Sequence, residues 1–97
     1  MTLIQAGDVG LNIRVSVGKA LTGYDECLIK VLNPDGTKSD WTPDSIDTDD
    51  GFLNYETVVG NLEDSGDYVI QSYVLFTDGE VRYGEAVRFH VYENLVA

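Results

Sequence analysis

The chain has 97 residues, 43% of them apolar, with six Lys and Arg against 17 Asp and Glu, for a net charge of −11. That length fits one domain, residues 1–97, with a core large enough to need neither metal nor bridge. The acidic balance argues against nucleic-acid binding, because such a surface repels phosphate backbones.

The lone Cys27 cannot close an internal disulfide, which suits a reducing compartment. No basic stretch leads into an apolar run, so neither a signal peptide nor a membrane span is expected, and Met1 points to a complete small protein.

The elements follow one another at the rhythm of an all-β sandwich. Residues 2–5, Thr-Leu-Ile-Gln, suit a short first strand. Leu11, Ile13, Val15 and Val17 then alternate with Asn12, Arg14 and Ser16, the period of a half-buried strand. Cys27, Ile29 and Val31 continue the pattern in a second strand, with Lys30 outward. Asn33-Pro34-Asp35-Gly36 is a turn, since Pro34 presets φ and Gly36 accepts a positive φ. The chain returns through residues 37–41 to Trp41, crosses a polar interruption at 42–51, and forms a strand over 52–59. After the corner at 61–66 comes a long strand with Tyr68, Ile70, Ser72 and Val74 on one face. A Thr-Asp-Gly-Glu turn leads to a final strand over 81–93, with Val87, Phe89 and Val91 inward. The count is about seven strands and no helix.

The corner carries a signature. Asp64, Gly66 and Tyr68 stand as in the Asp-x-Gly-x-Tyr-x-Cys run of many immunoglobulin domains, with Ile70 in the place of the cysteine. In such sandwiches the corner tyrosine bonds upstream backbone and the residue two further on enters the core. Burying an Ile contributes roughly 1.5–3 kcal/mol, comparable with the roughly 2–5 kcal/mol lost with a native disulfide. The expectation is an immunoglobulin-like antiparallel β-sandwich without its bridge.

Catalytic constellations are absent from the sequence. His90 is the only histidine and falls on the outward face of the last strand. Cys27 sits in an apolar alternation and reads as a core residue. No cofactor motif occurs, and the chain is expected not to be an enzyme.

Asp44, Asp47, Asp49 and Asp50 crowd one loop and are the candidates for calcium, which takes roughly six to eight oxygen ligands. The EF-hand pattern fails: with Gly51 at its sixth position, Ile46 and Thr48 fall where acids belong. A solvated loop is the better reading. Tyr73, Tyr83 and Tyr92 are interface candidates on the last strands, or cross-strand stacking pairs. Leu95 and Val96 in the apolar tail are further interface candidates.

Leu21-Thr22-Gly23, Pro34-Asp35-Gly36, Gly66-Asp67-Tyr68 and the run from Gly84 to Tyr92 carry a family resemblance. Over residues 8–93 the chain resembles small immunoglobulin-like structural proteins of tailed bacteriophages. It is also similar to the N-terminal attachment domain of phage baseplate and receptor-binding proteins. The resemblance implies a non-enzymatic virion protein, made in the host cytoplasm, that fastens tail, baseplate or fibre parts by binding other virion proteins. It implies no cofactor, and it allows a homo-oligomer within the virion. Capsid decoration is the alternative role. A calcium-dependent carbohydrate-binding module is the alternative from another class.

Overall fold

The computed structural model describes residues 4–93. Eight strands form two antiparallel sheets and no helix occurs among the described residues. One sheet has the order β1 (Asn12–Ser16), β5 (Phe52–Glu56), β4 (Ser45–Asp47). The other runs β3 (Lys38–Trp41), β2 (Tyr24–Leu32), β6 (Gly66–Phe76), β7 (Val81–Tyr83), with β8 (Val87–Val91) also paired to β6.

Period-two alternation decides which side chains meet between the sheets. Val15 and Leu53 from the first sheet pack with Ile29, Val31, Ile70, Val74 and Val91 from the second, all buried. Trp41 stacks on Tyr55 across the two sheets, ring centroids 5.0 Å apart. Ser72, fully buried, donates its hydroxyl to the Ser16 carbonyl at 2.9 Å, tying β6 to β1 through the core. Cys27 is buried and free, so the sandwich has no disulfide.

The corner is built by the Tyr68 hydroxyl, which donates to the Asp64 carbonyl at 3.0 Å and accepts from the Asp64 amide at 3.3 Å. Ile70 is buried beyond it. The Tyr68 ring lies parallel to Phe89 on β8, centroids 5.5 Å apart. Gly66 holds a φ of 126°, in the left-handed region that favours glycine, and a Cβ there would press on Pro34.

The structure departs from the sequence reading in four places. Inside the polar interruption, Ser45–Asp47 forms β4, because half-buried Ile46 pairs with Leu53. The strand expected over 52–59 ends at Glu56, where the buried Thr57 Oγ1 takes the Leu11 amide at 3.0 Å and turns the chain away. The final strand breaks into β7 and β8 around Gly84, whose Cα lies against Ser72 Oγ and the Ser16 carbonyl with no room for a Cβ. Val87 keeps the inward side, opposite buried Ile70, but at the sheet edge it is left 46% exposed. Only part of the expected first strand is described. There Gln5 bridges Tyr92 in parallel, and Ala6 N donates to the Tyr92 carbonyl at 2.8 Å.

Candidate binding surface

The register of the five-stranded sheet fixes what its outer face presents. On β2, β3 and β6 the buried set is Cys27, Ile29, Val31, Trp41, Tyr68, Ile70, Ser72, Val74 and Phe76. Their alternates point the other way: Lys30 and Leu32, Lys38 and Asp40, Val69, Gln71 and Tyr73. β7 adds Val81 and Tyr83, opposite Leu75 and Tyr73. β8 adds Arg88 and His90, opposite Val69 and Asp67.

This face exposes apolar and aromatic side chains. Leu32 is 40% exposed, Val81 47% and Tyr83 56%. Lys30, Leu32, Lys38, Asp40, Val69 and Tyr83 contribute to the walls of a shallow groove of about 620 Å³. The Gln71 side chain donates to the Gly84 carbonyl at 2.8 Å and so closes the seam between β6 and the β7–β8 break.

The face carries charge of both signs, with Asp40 and Asp67 set among its basic groups. Lys30, Lys38 and Arg88 are three of the six Lys and Arg in a chain of net charge −11. Lys30 Nζ lies 3.1 Å from Asp40 Oδ1 and 5.1 Å from the centre of the Tyr73 ring. Tyr73 and Tyr83 meet at 5.4 Å, tilted by 55°. His90 Nδ1 lies 2.8 Å from Asp67 Oδ1, and its ring meets Tyr92 edge-on at 4.6 Å. A smaller polar hollow of about 280 Å³ lies by the inner side of β3, lined in part by Asn33, Trp41, Asn61 and Asp64. Its Asn33 amide is occupied by Thr37 and Ser39 oxygens.

The other sequence-named residues serve local structure. Asp44 Oδ2 accepts the Glu56 amide at 2.7 Å and Asp47 Oδ1 the Asp50 amide at 3.1 Å. Asp47 Oδ2 lies 3.5 Å from Arg14. Asp49 and Asp50 are exposed on the turn, and among the described residues no three of His, Cys, Asp or Glu converge into a metal site. Burial pushes the Cys27 thiol pKa up, and nearby Glu26 adds to the shift. Cys27 pairs with Val74 and His90 with Asp67, so the only thiol and the only imidazole are about 24 Å apart along β6. That separation rules out a shared thiolate–imidazole site for a transition metal, copper included. Tyr73 and Tyr83 share the groove face, and Tyr92 stands beside His90 near the sheet's end. Leu95 and Val96 lie outside the described residues.

No protein-family model matches the chain, and no curated protein does. A solved structure does match: CopC from Methylosinus trichosporium OB3b, with a TM-score of 0.58 and 16% identity, over 99% of this chain and 90% of that one. At that identity the likeness establishes a shared fold.

It also corrects the phage resemblance, since the protein found to share the fold is CopC and not a phage structural protein. The physical reason lies in the residues that suggested it. Leu21, Tyr68 and Val91 are core positions, Pro34-Asp35-Gly36 is a hairpin turn, and Gly66 and Gly84 are sites of close approach. A sandwich of this kind needs such residues whatever it binds. The tail, baseplate and fibre attachment role, the capsid-decoration alternative, the calcium-dependent carbohydrate module and the virion location are withdrawn with it.

Proposed function

We propose that this protein is a non-enzymatic binding domain, and that its working surface is the outer face of the five-stranded sheet, which takes a polypeptide partner. The observation that carries the reading is the composition of that face. A chain of net charge −11 places half its Lys and Arg there, beside Asp40 and Asp67, with exposed Leu32 and Tyr83 bordering the groove. Exposed apolar patches on small soluble domains mark contact surfaces. Tyrosine and arginine are enriched at such contacts, whose polar rim takes the lysines. The partner's chemistry follows: apolar side chains for the groove, and carboxylates for Lys38 and Arg88.

The non-enzymatic part rests on the groups present. His90 is engaged by Asp67 and Tyr92, and among the described residues no hydroxyl or thiol is bonded to it. Catalysis by a histidine-activated hydroxyl or thiol needs that contact.

Selection of peptides from a yeast-displayed random library on the immobilised domain tests the proposal. Wild-type protein enriches apolar, acidic peptides, and Tyr83→Asp abolishes the enrichment. Equal enrichment by the variant would contradict the assignment of the face.

A further inference from the structure

We propose that this protein pairs with a second copy of itself through the free edge of β3, forming one continuous sheet across a two-fold axis. The inference goes beyond the binding reading and does not depend on it: it rests on the free backbone edge of β3, although Lys38 and Asp40 also border the groove.

Among the described residues β3 is an end strand, bonded only to β2. Which of its backbone groups are free follows from the hairpin. Asn33 N donates to the Thr37 carbonyl at 2.8 Å, so 33 and 37 are a hydrogen-bonded pair. Antiparallel ladders alternate bonded and non-bonded pairs. The bonded pairs are then Val31 with Ser39 and Ile29 with Trp41, while Leu32 with Lys38 and Lys30 with Asp40 are the non-bonded ones. The amides and carbonyls of Lys38 and Asp40 therefore point away from β2, toward solvent.

An antiparallel β3 from a second copy can use these groups in one register. With Ser39 opposite its own counterpart, Lys38 faces the other copy's Asp40 and Asp40 the other copy's Lys38. All the free amides and carbonyls then pair, and on the outer face each ammonium stands opposite a carboxylate, the arrangement that stabilises a cross-strand pair. A slip by one residue sets outward groups against inward ones, and a slip by two sets Lys38 against Lys38 or Asp40 against Asp40. The strand thus specifies its own pairing and rejects the neighbouring registers. A lysine on an edge strand ordinarily discourages strand addition. Here it discriminates among partners, since a copy of the same strand supplies the matching charge. Lys38 is exposed and makes no ion pair among the described residues, while Asp40 already holds Lys30 at 3.1 Å. Pairing would complete a chain of alternating charge running Lys30, Asp40, then the second copy's Lys38. The contact is isologous, as two-fold dimers require.

Sedimentation velocity at physiological salt tests this, since screening within about 8 Å limits the repulsion between two acidic chains. Wild-type mass rises from monomer toward dimer as concentration increases to about 1 mM. Lys38→Asp sets carboxylate against carboxylate and Asp40→Lys ammonium against ammonium, so each variant alone has its dimer dissociation constant raised at least tenfold. An equimolar mixture of the two restores dimerisation, because each supplies the charges the other lacks. Unfolding followed by Trp41 fluorescence confirms that both variants fold. A wild-type chain that stays monomeric throughout would overturn the proposal. So would variants that dimerise as well as wild type, or a mixture that fails to.

Discussion

Removing the corner hydroxyl by Tyr68→Phe deletes one oxygen and leaves the ring in place against Phe89. The ring is 1% exposed, so the change is felt inside the fold. Two hydrogen bonds go, at 3.0 Å to the Asp64 carbonyl and at 3.3 Å from its amide. A net hydrogen bond is worth about 0.5–1.5 kcal/mol, and the longer of these two counts at the low end. Asp64 is exposed, so water can take up its freed backbone groups, which limits the penalty. The loss comes to about 1–2 kcal/mol, or a Tm lower by about 4–15 °C for a domain of this size. Urea unfolding reports it through the single Trp41, which is buried and stacked on Tyr55. The midpoint falls while the slope stays the same. Alkaline pH gives an independent reading. Burial raises the Tyr68 hydroxyl above its ordinary value of 10.0. The folded chain therefore keeps that proton after the unfolded chain has lost it. The stabilisation is complete below pH 10.0 and is lost as the pH climbs through the folded value, so the gap between wild type and Tyr68→Phe narrows there. An unchanged urea midpoint at neutral pH would refute the corner as an energetic element of the fold.

The β7–β8 break makes a second expectation. Gly84→Ala drives a methyl group into Ser72 Oγ and the Ser16 carbonyl and lowers stability by about 1–3 kcal/mol in the same assay; a neutral outcome would mean that the break yields freely. The acidic loop makes a third. Millimolar calcium or a chelator leaves the Tm where it is, because the Asp44 and Asp47 carboxylates are bonded to backbone amides and no three acids converge among the described residues. A rise with calcium would show that the loop assembles a site.

Much of the framework was legible because alternation is strong where one face is buried and the other wet. The run from Leu11 to Val17 shows this, with Ile13, Val15 and Val17 buried and Asn12, Arg14 and Ser16 exposed. β4 was hidden because three residues with a single apolar side chain carry no period, and its partner β5 supplies the reason to form. The β7–β8 break was hidden because the alternation runs on through it, while the close approach of Gly84 to two other strands is a property of the folded chain alone. The binding face was half legible. Tyr83 stood out as an aromatic and the alternation already set Lys30 outward, but the meeting of Leu32 and Val69 with Tyr83 across β2, β6 and β7 is a product of the sheet order alone. The charge complementarity of Lys38 and Asp40 acquires meaning only when the hairpin register shows that their backbone groups face outward. The phage resemblance drew on turn and core residues, which report on how the chain folds and not on what it touches.

The most direct measurement for the binding account is a two-dimensional amide NMR titration of the domain with a peptide enriched from the library. The account predicts shifts confined to the outer face, at Lys30, Leu32, Val69, Gln71, Tyr73 and Tyr83, with the acidic turn from Asp44 to Gly51 unmoved. Shifts centred on that turn, or a library that enriches nothing, would contradict it.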